Sequence, residues 1–217
     1  MIGRGVVALV SGGLESLCMV SQLLAAGWTV QPVYVRCGLS WEAVEGASLS
    51  RWLGRIKHPR LKPLARLAVP VAAVYGSHWS LTGRAPGART PDAAMYLPGR
   101  NLLLLTHAAI YAARRGYPAL ALGTLSGNPF GDATPKFFRR FAGCLRSALS
   151  APMQVLTPMR RSSKSQLLRR HESLPLHLTF SCVRPSGLRH CGRCNKCAER
   201  RRAFQLAGIV DHTVYAT

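Results

Sequence analysis

Residues 8–20 read ALVSGGLESLCMV. An apolar run stops at Ser11-Gly12-Gly13, and helical spacing of apolar residues resumes at Leu14. A short, continuous apolar run closed by a turn signal reads as a buried strand, so residues 5–10 are expected to form one. Residues 14–26 then read as the following helix, with Gly27 as its stop. Glycines at a strand-to-helix turn let a ligand approach the backbone. The helix start adds unpaired N–H groups and the positive end of its dipole, so phosphate is the natural guest. The loop is neither GxxxxGK[ST] nor GxGxxG, the two commonest phosphate-binding patterns.

Further along, residues 29–35, 69–75, 119–122 and 154–156 read as strands. Residues 41–53, 101–115, 135–149 and 163–171 read as helices. Asn101 is placed to cap the second of these helices, and Phe137, Phe138, Phe141 and Leu145 share one face of the third. Strands alternating with helices imply an α/β fold: a parallel sheet with helices on both faces. In such sheets ligands sit beyond the carboxyl ends of the strands. The special residues fall there: the Ser11-Gly12-Gly13 turn, Cys37-Gly38, and the segment from Gly123 to Asp132. Residues 77–97, rich in Gly, Pro and Ala, form a connection long enough to read as a lid. The organisation expected is one α/β domain, residues 1–175, with a small appendage, residues 176–217.

The chain of 217 residues carries 29 Lys and Arg against 8 Asp and Glu, a formal net charge of +21. So positive a surface attracts polyanions or an acidic protein partner; an arginine-rich composition is the other reading. Only eight carboxylates are available for any acid, base or ligand role. No apolar stretch reaches the roughly 18 residues of a membrane span, and Gly12, Gly13 and Glu15 interrupt the N-terminal apolar run too early for a signal peptide. The expectation is a soluble, cytoplasmic protein.

Residues 181–197, SCVRPSGLRHCGRCNKC, place Cys182, Cys191, Cys194 and Cys197 in the spacing C-x8-C-x2-C-x2-C. Four clustered thiols in a chain read as cytoplasmic point to a metal rather than to disulfides. Four thiolates complete a closed tetrahedral zinc site, which is structural. An iron–sulfur cluster, or His190 in place of one cysteine, are the alternatives. Cys18, Cys37 and Cys144 read as free thiols.

VSGGLES resembles the SGGxDS signature of the pyrophosphate-loop ATPases, also called N-type ATP pyrophosphatases. Leu97-Pro98-Gly99-Arg100-Asn101 looks like the PGRN motif of that family, and Lys164 matches its lysine in the pattern TP(x)5K, here starting at Thr157-Pro158. Together with the cysteine spacing, and in the same order, these motifs resemble the 7-cyano-7-deazaguanine synthase family over nearly the whole chain. The resemblance implies a Rossmann-like fold of the adenine nucleotide alpha hydrolase type, a homodimer, and ATP, Mg2+ and structural zinc. It implies that Val10, Ser11, Gly12, Gly13, Leu14, Glu15, Ser16, Arg100, Asn101 and Gly123 hold ATP. Ser11, Glu15, Ser16, Arg100, Asp132 and Lys164 would then serve the reaction. In that reaction the carboxylate of 7-carboxy-7-deazaguanine is adenylated, ammonia gives the amide, and a second ATP drives dehydration to the nitrile.

Two motifs depart from the family pattern. Glu15 stands where the signature has Asp. Asp132 is followed by Ala133 and Thr134, where the family has Asp-Cys-Arg; its carboxylate reads either as a partner for a guanine-like N–H edge or as a helix cap. With the excess of positive charge, the departures also admit a divergent ligase that joins the deazaguanine to an amine of a protein or other partner. From another class, a non-catalytic nucleotide- or tRNA-binding module remains.

Overall fold

The computed structural model describes residues 4–216; residues 1–3 and 217, the outer ends of the two segments expected from the sequence, lie outside the described residues. Five strands form one sheet: β1 (Gly5–Leu9), β2 (Thr29–Arg36), β3 (Ala65–Ala68), β4 (Ala119–Ala121) and β5 (Gln154–Leu156). Their order is β3-β2-β1-β4-β5 and every pairing is parallel. The sheet grows outward from β1 in both directions, so the chain reverses direction of travel between β1 and β4. That is where an open α/β sheet leaves a crevice at its carboxyl edge.

The helices are α1 (Leu14–Ala25), α2 (Glu42–Arg55), α3 (Ala72–Tyr75), α4 (Trp79–Thr82), α5 (Arg100–Ala113), α6 (Pro135–Leu149), α7 (Lys164–Arg170) and α8 (Asn195–Ala207). They cover both faces of the sheet. β1 is buried on both sides: Val7 and Leu9 join the cluster containing α5 and α6, while Val6 and Ala8 join the one containing α1, α7 and α8. Each such fully buried Val or Leu contributes roughly 1.5–3 kcal/mol relative to exposure. β4 is buried throughout as well. The continuous apolar runs reflect this two-sided burial.

Three expectations change. The third strand is residues 65–68, not 69–75: Val69 and Val71 N–H still donate to Arg36 O and Cys37 O on either side of Pro70, and the following Ala72-Ala73-Val74-Tyr75 folds into the turn α3. The N-cap of α5 is Gly99, not Asn101. Gly99 adopts φ +65°, a conformation that glycine reaches without strain. Asn101 lies inside the helix, where its backbone N–H donates to Asp132 Oδ2 at 2.9 Å and its side-chain Nδ2 donates to the Asp132 carbonyl at 3.1 Å. A carboxylate from a distant segment thus satisfies an unpaired donor of the first turn. The next helix, α6, takes its cap from Thr134, whose Oγ1 accepts from Phe137 N–H.

The third change concerns residues 77–97. The segment contains α4 and a 3-10 turn, Asp92–Met95, and Gly87 pairs with Cys194. Asn195 holds it from α8: Asn195 N–H donates to Pro86 O at 3.1 Å, and Nδ2 donates to Thr90 O at 2.8 Å and Asp92 Oδ1 at 3.0 Å. It is a roof fastened to the cysteine cluster.

The C-terminal tail is organised by Arg200, whose side chain is fully buried. Its guanidinium donates to Thr213 Oγ1, Thr179 Oγ1, Ser181 Oγ and Leu176 O, and Asp211 Oδ1 lies 3.9 Å away. A buried cation is tolerated only when its donors are matched in this way. Among the described residues, no helix is long and apolar enough to cross a membrane.

Candidate active site and metal centre

At the carboxyl edge of the sheet lies a cavity of about 450 Å3. Its floor is the turn after β1. Ser11 N–H donates to Ser16 Oγ at 2.9 Å, Gly13 N–H donates to Ser11 Oγ at 3.1 Å, and the two hydroxyl oxygens are 3.2 Å apart. The first intrahelical bond of α1 runs from Leu17 N–H to Gly13 O. Amides of the first turn therefore have no intrahelical partner and suit an anion.

Of the residues expected to serve ATP or the reaction, Val10, Ser11, Gly13, Glu15, Ser16, Arg100, Asn101, Gly123, Asp132 and Lys164 all line this cavity. Leu14 does not; it is buried among the apolar residues behind the loop. Gly12 lies behind the wall as well. A Cβ on it would sit 2.7 Å from the Glu45 carbonyl oxygen, and Gly12 O accepts from Phe180 N–H at 2.7 Å. Its role in the geometry is close packing between α2 and residue 180, which leaves Ser11 and Gly13 to face the cavity.

Glu15 reaches across to Lys164: Nζ lies 2.9 Å from Glu15 Oε1 and 2.5 Å from Glu199 Oε1, and Lys196 Nζ lies 2.7 Å from Glu199 Oε2. Burial alone would lower the Lys164 pKa, but the Glu15 and Glu199 carboxylates outweigh it and hold the lysine above its usual range. For Glu199, burial acts to raise the pKa, yet Lys164 and Lys196 bring it down to about 2. Both shifts favour the charged pair.

On the opposite wall, Glu45 Oε2 accepts from Tyr34 Oη at 2.7 Å. Burial pushes the Glu45 carboxyl above the usual carboxylate range, against the pull of Arg100 and the Tyr34 hydrogen bond, and Glu42 adds to the rise. Arg100 Nε and Thr124 Oγ1 are buried without a hydrogen-bond partner, and both residues face the cavity. Buried unpaired polar atoms at a cavity wall are what a polar ligand satisfies. Glu45, Tyr34, Thr124, Lys196 and Glu199 carry no local motif that the sequence reading could use.

The cysteine centre lies beside the roof. The four Sγ atoms of Cys182, Cys191, Cys194 and Cys197 are all within 4.8 Å of one another and all four residues are buried. Individual separations are 3.8 Å for Cys182–Cys194, 3.9 Å for Cys191–Cys197 and 3.5 Å for Cys194–Cys197. A tetrahedral zinc with Zn–S bonds of about 2.3 Å separates its sulfurs by about 3.8 Å, so the set fits that ion. Backbone N–H groups of Arg184 and Cys191 donate to Cys182 Sγ, and those of Arg193 and Cys194 to Cys191 Sγ, which stabilises thiolate charge. His190 is no ligand: its Nε2 accepts from Ser181 N–H at 3.0 Å, and burial with the nearby Arg200 lowers its pKa to about 3.

Comparison with known proteins agrees with the geometry. A 7-cyano-7-deazaguanine synthase from Paracoccus denitrificans is 32% identical, with 96% of this chain and 92% of that protein covered. The synthase of that name from Acetivibrio thermocellus is 30% identical over 98% of each chain, and one from Leptospira interrogans 29% identical over 94% and 88%. Two solved structures share the fold, each with a TM-score of 0.50. One is described as a predicted subunit of a tRNA methyltransferase from Methanocaldococcus jannaschii, 17% identical, covering 78% of this chain and 74% of that one. The other is a 4-thiouridine synthetase–RNA complex with bound ATP, 13% identical, covering 95% and 51%. The sequence model of the family described as "Queuosine biosynthesis protein QueC" matches residues 5–208, and the chain belongs to that family of enzymes.

Proposed function

We propose that the protein is an ATP-dependent ligase that activates the carboxylate of 7-carboxy-7-deazaguanine and joins it to ammonia, ending at 7-cyano-7-deazaguanine. The observation that carries this reading is the Ser11–Ser16 turn at the floor of a cavity that also holds Glu15, Lys164 and Arg100. The names of the relatives give the product, 7-cyano-7-deazaguanine, and the acid is the substrate that the family resemblance implies. ATP supplies the chemistry a carboxylate lacks: AMP on its oxygen makes that oxygen a leaving group, and pyrophosphate departs.

In this reading residues 1–175 hold the nucleotide and residues 176–217 carry the zinc. The amides and hydroxyls of the turn hold the departing pyrophosphate, because they are fixed in place before it forms. Lys164 has three donors; two are engaged by carboxylates, which leaves one for a phosphoryl oxygen. Arg100 offers an unpartnered Nε and a planar fork suited to phosphate or carboxylate. Asp132 keeps one carboxylate oxygen on the start of α5, and its other oxygen is the acceptor offered to the N–H edge of a guanine-like ring. Glu15, Glu45, Asp92, Asp132 and Glu199 line the cavity against three cations, Arg100, Lys164 and Lys196. The cations suit phosphate oxygens, and the carboxylates offer oxygen ligands to Mg2+, a hard cation.

The test is incubation with 7-carboxy-7-deazaguanine, ammonium and labelled ATP, followed by mass spectrometry of every product. The nitrile with AMP and pyrophosphate is expected. Amide alone, or an adduct on a protein amine, would move the assignment to a divergent ligase. Absence of pyrophosphate would remove the reaction altogether.

A further inference from the structure

The cysteine centre and the phosphate loop are joined by one side chain. Cys194 is the N-cap of α8, Cys197 lies in its first turn, and Glu199 follows two residues later. From there Glu199 enters the cavity wall and meets Lys164 Nζ at 2.5 Å, while Lys196, one turn back on the same helix, holds its other oxygen at 2.7 Å. Lys164 in turn meets Glu15 of the loop at 2.9 Å. The four groups alternate in sign along a chain: Lys196, Glu199, Lys164, Glu15. Both carboxylates and Lys164 are largely covered, with side-chain exposures of 25%, 29% and 16% for Glu15, Glu199 and Lys164.

We propose that Glu199 is a positioning residue for nucleotide turnover: it holds Lys164 at the loop, and the cysteine centre, by fixing the start of α8, fixes Glu199. The proposal rests on the reading of the Ser11–Ser16 turn as the phosphate site. It also accounts for Glu15. A carboxylate one methylene shorter would withdraw from an Nζ that now sits at hydrogen-bond distance, so the longer acid suits a lysine drawn toward α8. A lysine with one fixed carboxylate partner can swing on its flexible stem; with two it is held from both sides, and its remaining donor keeps one orientation. Preorganisation of that kind acts on the transition state more than on ground-state binding.

The experiment compares wild type with Glu199→Gln and Glu199→Asp in the zinc-loaded full chain. Four quantities are read: pyrophosphate release, affinity for a non-hydrolysable ATP analogue, zinc content, and labelling of Lys164 by an amine-reactive reagent followed by mass spectrometry. For Glu199→Gln, kcat is expected to fall by about 10- to 100-fold, the range for loss of one hydrogen bond between charged groups. Analogue affinity stays the same or tightens, because a negative charge has left the neighbourhood of the phosphates. Zinc content stays at one per chain, Lys164 is labelled faster, and Glu199→Asp, whose carboxylate is one methylene short of Nζ, recovers part of kcat by keeping the charge nearby. Unchanged kcat and unchanged Lys164 labelling in Glu199→Gln would overturn the proposal. So would losses of kcat and affinity in equal measure that track a lower melting temperature and lost zinc, with Glu199→Asp no better than Gln. If wild type itself releases no pyrophosphate with the deazaguanine acid, the proposed reaction fails; the labelling and analogue measurements then still decide Glu199, since neither needs turnover.

Discussion

Replacing Gly12 by Ala tests whether the loop is held as rigidly as its packing implies. The added methyl carbon would lie 2.7 Å from the Glu45 carbonyl oxygen and 3.1 Å from Glu45 Cγ. Ordinary contact starts near 3.4 Å, so loop and helix must separate by roughly half an ångström or more. The loop cannot simply retreat, because Gly12 O is hydrogen-bonded on its far side to Phe180 N–H at 2.7 Å. Overpacking of this kind costs about 1–3 kcal/mol. For a chain of this size each kcal/mol lowers Tm by about 2–4 °C, so the fall expected is about 2–12 °C. The same displacement shifts Ser11 and Gly13, so affinity for an ATP analogue should drop with it. Gly143→Ala is the internal control. It lies within α6, and its Cβ would meet only Arg146 Nη2 at 3.8 Å. There the same substitution should stabilise by about 0.5–1 kcal/mol. Differential scanning calorimetry and isothermal titration with the analogue measure both. A Gly12→Ala protein with unchanged Tm and affinity would refute the packing argument; so would equal effects at the two glycines.

Glu15→Gln should cut pyrophosphate release at least tenfold, because it removes one of the two charged partners of Lys164; steady-state turnover measures it, and an unchanged rate takes Glu15 out of the mechanism. Atomic absorption should find about one zinc per chain, and chelation should unfold the tail, since structural zinc binding is folding free energy. Cys194→Ser should lose both metal and cooperative melting, as it removes one of the four thiol ligands at the start of α8. Arg200→Ala should destabilise by about 3–5 kcal/mol, read by urea unfolding, because it empties a buried site and strands the four acceptors that now receive its donors.

Where local chemistry decides, the sequence was readable. The β1–turn–α1 unit was legible because an apolar strand and an amphipathic helix meet at two glycines, and α6 matched its expected residues 135–149 because Thr134-Pro135 marks its start. The cysteine quartet was legible from spacing alone. The errors arose where distant segments decide. The strand β3 pairs upstream of the apolar run that suggested it, most of which folds into α3, and Asp132, thirty-one residues away in sequence, satisfies the α5 amide near which a local cap was expected. Helix α8 carries no clear apolar stripe in sequence, because Lys, Glu and Arg residues surround it. Glu45 and Glu199 look like ordinary helix-surface acids in one dimension; only the crossing of β2 with α2, and of α7 with α8, turns them toward the cavity.

The deployment of carboxylates has a further consequence. Of eight acidic residues, seven have partners in the fold: Glu15 and Glu199 on Lys164, Glu42 on the Cys37 and Gly38 amides, Glu45 on Tyr34, Asp92 on Asn195, Asp132 on α5 and Asp211 on Tyr215. Exposed Asp92 and Glu172 are left to interrupt an outer surface of arginine and lysine. Self-repulsion across that shell opposes compaction, and dissolved electrolyte relieves it over a Debye length of about 10 Å at 0.1 M. The protein should therefore melt higher as ionic strength rises from a few millimolar, the reverse of what a fold resting on exposed ion pairs would do.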